Sequence, residues 1–390
     1  MNDTQKRLIK LIHCVIQNAA VPEELQHLST PEKIAIIQYA KHQGVLPFLQ
    51  NFDIFFQKEC KDKLLHHLMG SIYWDTRQSA EIEKLLEAFE ANEIYCIPLK
   101  GIVTKKLYPS FELRTMGDLD ILYRMEQTDT LQKVMKSMGY HSNSEAAKHD
   151  HYSKDGMVVE MHKELLPVGS SGYGLFKGIW TRAIPMQGKT YCYEMTIEDH
   201  YLYTLCHLME HFIRGGIGIR MVLDIYILSH REELDRKQVE KILKELGALE
   251  FEQNIRVLGE QWFSSKVSTS VPSDLSVKTL DDLAEYVVNG GIFGSQENDN
   301  TNSAIMYQSK GRYLLHTIFP SYQIMKTVFP WLKSPLMLPA AWAKRWWNVW
   351  TKRRQNVSRQ LAKADKLQEQ GENELRERKQ FFSDIGLGGE

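Results

Sequence analysis

Asp118 and Asp120 stand one residue apart in the run Gly117-Asp118-Leu119-Asp120-Ile121-Leu122-Tyr123. Their alternation with apolar neighbours predicts a strand that projects both carboxylates from one face. Magnesium takes hard oxygen ligands, commonly one or two carboxylates plus substrate phosphates. A pair of such ions clamps the attacking and the leaving oxygens of an in-line displacement at phosphorus. A third carboxylate on a neighbouring strand completes the set. Glu160 is the candidate, because Val158, Glu160 and His162 alternate with Val159 and Met161. Asp118, Asp120 and Glu160 are therefore the expected metal ligands and catalytic groups, for two Mg2+ ions with Mn2+ as the alternative. His162 is expected close behind them.

A place for phosphate lies upstream. Ile94 to Leu99 is a short apolar run bounded by a turn, the pattern of a buried strand. Gly101 follows where strand gives way to helix, and a glycine there lets backbone N–H groups approach a phosphate. Lys100 and Arg114 can neutralise triphosphate charge. Gly117 permits close backbone approach beside Asp118. Lys100, Gly101, Arg114 and Gly117 form the expected nucleotide-binding set.

These residues must be held by a folded core. Apolar residues recur at helical spacing through residues 1–92, with a start signal at Ser29-Thr30-Pro31-Glu32 and one long helix expected over 62–92. Residues 93–195 read as strand, helix, strand, helix and hairpin, an α+β core with a small mixed sheet. Helical spacing returns over 196–288. Residues 289–303, rich in Gly, Asn and acid, read as a mobile loop. The remainder, 304–390, reads as helical, with a tryptophan-rich basic stretch followed by a charged helix-forming one.

Composition narrows the class. The 390 residues are 43% hydrophobic and 25% charged with net charge −1, ordinary for a globular chain. No global field draws the whole chain to nucleic acid or membrane, so electrostatic binding must come from a local patch. Five dispersed cysteines without C-x-x-C spacing read as reduced, buried thiols. The N-terminus has the period of an amphipathic helix rather than of a signal peptide, and no 18 apolar residues run together. A cytoplasmic location is expected.

Taken together, Leu99-Lys100-Gly101, Arg114, Gly117-Asp118-Leu119-Asp120 and Val159-Glu160-Met161-His162 resemble the polymerase-beta-type nucleotidyltransferase superfamily, in particular a poorly characterised bacterial branch. Glu198-Asp199-His200, His207 to His211, Arg220 to Asp224, Phe319-Pro320-Ser321 and Leu338-Pro339 extend the likeness across most of 94–350. The resemblance implies a mixed-sheet catalytic core, Asp118 and Asp120 on metal, Gly101 near the phosphates and a nucleoside triphosphate such as ATP as substrate. Two departures bear on the triphosphate grip. Ile102 stands where the superfamily usually has Ser, and the interval from Gly101 to Asp118 is long.

Other features have plainer readings beside the sharp ones. His207 and His211 have the i, i+4 spacing of a zinc pair but no third ligand, so a polar helix face turned to the core is the simpler account. Arg220 and Asp224, also i, i+4, fit an intrahelical or interdomain ion pair. Both pairs are candidates for lining the cleft. Residues 340–354 fit first a helix docked through its tryptophans, then an anionic membrane surface, and last a nucleic acid.

The expected function is transfer of a nucleoside monophosphate to a hydroxyl, less often a phosphate, of a small-molecule or protein acceptor. The alternative is an inactive nucleotidyltransferase-like module with a binding or regulatory role, such as an antitoxin-like partner.

Overall fold

The computed structural model describes residues 1–390 except 146–148, 266–275, 293, 330, 353–362, 367–370 and 389–390. Helices α1–α3 (Asp3–Ile16, Glu23–Gln26 and Thr30–His42) lead into α4, Lys58–Ala91. Asn2 with Gln5 and Ser29 with Glu32 form capping boxes, each offering side-chain partners to backbone N–H groups that a helix start leaves open.

The central part interleaves β1 (Cys96–Pro98), α5 (Gly101–Thr104), β2 (Leu119–Tyr123), α6 (Thr128–Ser137), β3 (His141–Glu145), β4 (His149–Lys154) and β5 (Met157–His162). The sheet has the order β1-β2-β5-β4-β3; β2 and β5 run parallel and the other pairs antiparallel. The fold is thus α+β with a mixed five-stranded sheet. One face is apolar: Leu119, Ile121, Tyr123, Val159, Met161 and Tyr152 pack on Ile82, Leu85 and Phe89 of α4 and Leu131, Val134 and Met135 of α6. At about 1.5–3 kcal/mol for each large apolar side chain buried, this layer fixes which way the alternate residues must point. Asp120, Glu160 and His162 point away from it, beside Leu122, which packs on the opposite side.

Two short helices, α7 (Tyr173–Phe176) and α8 (Ile179–Arg182), and a small hairpin precede α9 (Ile197–Arg214), α10 (Ile219–Ser229), α11 (Arg236–Glu245), α12 (Leu249–Phe263) and α13 (Val277–Gly290). A single apolar cluster joins Leu8 and Ile12 of α1, Ile37 of α3, Leu205 and Phe212 of α9, Val222 of α10 and Ile255 of α12. The helices before residue 92 and those after 196 therefore share a core. The long α4 ties it to the sheet: Cys60, Leu64 and Leu68 enter the helical core, while Ile82, Leu85 and Phe89 enter the sheet's.

The expected mobile loop at 289–303 is corrected. Ser295 caps α14, Gln296–Tyr307, and Asn298, Asn300, Thr301, Asn302 and Ser303 are buried in it. Asn302 Nδ2 donates to Tyr286 Oη at 2.9 Å and to the Arg214 carbonyl at 3.2 Å. Polar residues mark a loop only while they face water, and here the Asn302 amide donates to partners on α9 and α13 instead. Helices α15 (Lys310–Ile318), α16 (Tyr322–Val328) and α17 (Leu338–Lys352) follow, then a helix over Glu372–Asp384. The charged stretch expected to be helical after 358 lies partly outside the described residues. All five cysteines are buried and free; Cys96 and Cys192, far apart in sequence, bring their sulfurs to 3.5 Å. Among the described residues no helix is long and apolar enough to cross a membrane.

Candidate active site

Strand register builds the site. In the parallel pair, Asp120 lies opposite Glu160 and Leu122 opposite His162; across the antiparallel pair β4–β5, His151 lies opposite Glu160. Cross-strand partners share a face, so Asp120, Glu160, His162 and His151 emerge together on the side away from α4 and α6. Asp118 precedes β2 by one residue, on the same side by alternation, and is exposed.

The contacts are close. Nε2 of His162 is 2.7 Å from Oδ1 of Asp120 and 3.6 Å from Oε2 of Glu160. Nδ1 of His151 is 3.4 Å from Oε1 of Glu160. Nζ of Lys100 donates to Oδ1 of Asp120 at 3.2 Å. Burial opposes the charge on Asp120, but Lys100 and His162 outweigh it and hold its pKa well below the usual carboxylate range. Lys100 mirrors this: burial works against its charge, and the facing Tyr203, Asp120 and Glu160 raise its pKa. For Asp118, partial burial and then the charge of Asp120 raise the pKa, with Lys100 and His151 opposing.

Ligand atoms of Asp120, Glu160 and His162 all lie within 4.8 Å of one another. Two ligands of one ion, each about 2.1 Å from it, are at most about 4.2 Å apart, so small side-chain adjustments suffice. The donor set fits a divalent cation. Its imidazole nitrogen suits Mn2+ as readily as its carboxylates suit Mg2+. Asp118 is not in this closest group, although it feels the charge of Asp120. The sequence reading kept His162 behind the ligands, whereas its nitrogen stands among them.

Lys100 sits at φ +43° and ψ −115°, a conformation uncommon for a residue with a side chain, and starts α5. A backbone bond from Leu99 N–H to the Asp120 carbonyl at 2.9 Å fixes the turn beside β2. The turn requires Gly101 for an internal reason. A Cβ there would come within 2.7 Å of Arg114 Nη1 and 2.9 Å of Met116 Cγ. Gly117 differs: its φ is ordinary, and a Cβ there would meet open space.

Arg114 was expected to offer its fork to a triphosphate. Instead it is buried, with Nε and Nη2 donating to Asp224 at 2.8 and 2.7 Å, while Tyr108 Oη donates to the same carboxylate at 2.7 Å. The pair joins the Gly101 turn to α10. Arg220 does not close the expected bridge to Asp224; its Nη1 donates to the Thr115 carbonyl at 3.0 Å. Asp224 is taken by Arg114 because the planar fork reaches both oxygens at once. Beside them His200 Nε2 meets Thr104 Oγ1 at 2.9 Å, and burial with the nearby Arg114 pushes its pKa down to about 4.

A family model described as "Uncharacterised nucleotidyltransferase" matches residues 32–264, more than half of the chain and the whole of the sheet and its site. The chain belongs to that family. It is accordingly a nucleotidyltransferase-type chain, and the family implies a nucleoside triphosphate as substrate. No curated protein and no solved structure matches it.

Two residues of the candidate site escaped the sequence reading. Tyr203 of α9 is fully buried with its hydroxyl toward Lys100, and His151 sits across from Glu160. His207 and His211 continue the Tyr203 face of α9: the Tyr203 and His207 rings are 6.2 Å apart, and the two histidine rings are 4.4 Å apart edge to face. The i, i+4 spacing from Tyr203 through His207 was the available signal. Among the described residues no third ligand joins the two histidines into a metal group.

Proposed function

We propose that this protein moves a nucleoside monophosphate from a nucleoside triphosphate to a hydroxyl, or less often a phosphate, of a small-molecule or protein acceptor. The acceptor oxygen forms a bond to the α-phosphorus, the bond from that phosphorus to pyrophosphate breaks, and the acceptor's proton passes to a base on the same face, for which Glu160 is our candidate. Asp118, Asp120 and Glu160 would hold two divalent ions, with His162 adjoining. When bound, Mg2+ or Mn2+ supplies charge stabilisation at the phosphoryl oxygens.

The observation that carries this reading is the register of Asp120 opposite Glu160, with Lys100 as the cation beside them. Two half-buried carboxylates side by side are costly unless a cation offsets them, and Lys100 supplies part of that charge. Lys100, raised by its setting, stays ammonium and faces the triphosphate; Arg114 and Asp224 act by positioning the Lys100-Gly101 turn. Tyr203 backs Lys100 from α9.

The inactive-module alternative draws on Ile102. Where the superfamily places a hydroxyl, this side chain is buried in the sheet core, so the triphosphate grip rests on Lys100 and on backbone groups. Binding of a non-hydrolysable triphosphate to the whole protein decides between them. Mg2+- or Mn2+-dependent binding, lost when Asp118 and Asp120 are both changed to Asn, is the expected result. Equal binding by both proteins without metal would sink the enzyme reading.

A further inference from the structure

The chain as a whole has 48 Lys and Arg against 49 Asp and Glu, yet residues 300–364 contain eleven of the basic residues and none of the acidic ones. The near-neutral total therefore hides a polar division: one basic segment, and an acidic remainder. The segment lies beyond residue 264, where the family match ends.

Helices α16 and α17 share a small core of their own, made by Met325, Phe329, Leu332 and Ala341 with Trp342 against it, while α15 buries Tyr313 with Ala304 and Ala364. Three hydrogen bonds bind α17 to the end of α15. Trp342 Nε1 donates to the Pro320 carbonyl at 3.0 Å, Arg345 to Thr317 at 2.9 Å and Trp346 to Ile318 at 2.9 Å. Phe319 packs edge to face with both indoles. The docked-helix reading of these two tryptophans is therefore realised.

A second set of apolar groups is left outside that core. Leu315, Ile318, Ile324, Met337 and Trp347 are exposed, and Leu336, at 92%, is almost wholly so. Among the described residues, Lys326, Lys333 and Lys344 form no ion pair. Lys344 instead rides over the rings of Phe329 and Trp331.

We propose that the surface formed by α15, α16, α17 and the Pro335–Met337 turn binds the face of an anionic lipid bilayer. Its charge is complementary to acidic headgroups, and its exposed side chains are of the kind that enter the headgroup–acyl boundary. With 15 residues, α17 is too short to span a bilayer and would lie along it. RNA is the weaker partner, because the exposed apolar groups are chiefly aliphatic, while Trp342 and Trp346 already pack on Phe319 and donate their N–H groups inside the protein. The inference does not depend on the proposed chemistry.

The test is co-sedimentation of the full chain with vesicles of phosphatidylcholine alone or of equal parts phosphatidylcholine and phosphatidylglycerol. Binding is expected only to the anionic vesicles, and falling with added salt. Replacing Lys326, Lys333 and Lys344 together by Gln should weaken it about a hundredfold, at roughly a factor of five for each cation near the surface. Leu336→Ser should weaken it with the charges intact. Circular dichroism and thermal unfolding, unchanged in these variants, establish that they are folded. Asp120→Asn should bind vesicles like the wild type. Absence of binding to anionic vesicles, equal binding to both vesicle types, or binding to single-stranded RNA in place of vesicles would each overturn the proposal.

Discussion

The sheet face and the C-terminal helices handle charge in opposite ways. On the sheet, acidic and basic groups from distant parts of the chain meet: Lys100 on Asp120, His162 between Asp120 and Glu160, and Arg114 on Asp224. In α15–α17 one sign dominates, and three lysines form no ion pair among the described residues. Opposed charges held in place by a buried apolar layer make a preorganised site. Like charges on a thin core are suited to a large partner of opposite sign. The two regions also differ in kinship, since only the first falls within the family match.

The comparison is broken most severely at Asp120. Asp120→Asn removes the carboxylate nearest both Lys100 and His162, and transfer should fall at least a thousandfold, with the protein still folded. Rates and metal-dependent analogue binding, measured together, check this; a tenfold loss or less would place the chemistry elsewhere. Next comes Asp224→Asn, which leaves the Arg114 guanidinium buried with a neutral partner. About 3–5 kcal/mol of stability should be lost, read by denaturant unfolding. Vesicle binding should be unaffected under conditions where the variant is folded.

A smaller effect follows from His200. Its native pKa of about 4 lies below the ordinary histidine value of 6.5, so the unfolded chain takes up the proton first as pH falls. Its contribution is complete above about pH 6.5 and is lost progressively toward pH 4, up to about 3 kcal/mol. Asp120, whose native pKa is also lowered, adds loss in the same direction only as pH drops below about 4. Unfolding free energies across this range, for wild type and His200→Gln, should diverge below pH 6.5; parallel curves would remove His200 from the account. Smallest is Gly101→Ala. The added methyl displaces Arg114 and Met116 by fractions of an ångström, so analogue affinity should drop severalfold at a stability cost of about 1 kcal/mol. An unchanged affinity would mean that Lys100 is not held through Gly101.

Much of the site was legible because its signals are local. The alternation in 118–123 and 157–162 reports a strand face, and the same alternation that buries Leu119 and Val159 turns Asp120 and Glu160 outward. The apolar run at 94–99 gave the edge strand. Strand β3 was missed because His-Ser-Asn-Ser-Glu lacks any apolar alternation; its place is set by pairing with β4. Helix α14 was misread because its polar residues are buried and the partners of Asn302 lie on α9 and α13. Arg114 was misassigned for a related reason: Asp224, which claims it, is 110 residues away.

Sequence alone determined the class of the core, the strand carrying Asp120 with Asp118 just ahead of it, the strand carrying Glu160 and His162, and the chemistry those groups suit, because periodicity and residue type are properties of short segments. Only the tertiary structure decided which groups meet. It set Asp120 opposite Glu160 through parallel pairing and brought His162 among the candidate ligands. It also turned Tyr203 toward Lys100 and locked Arg114 onto Asp224. Such encounters depend on strand order and on how α9 and α10 pack, and no local spacing encodes them.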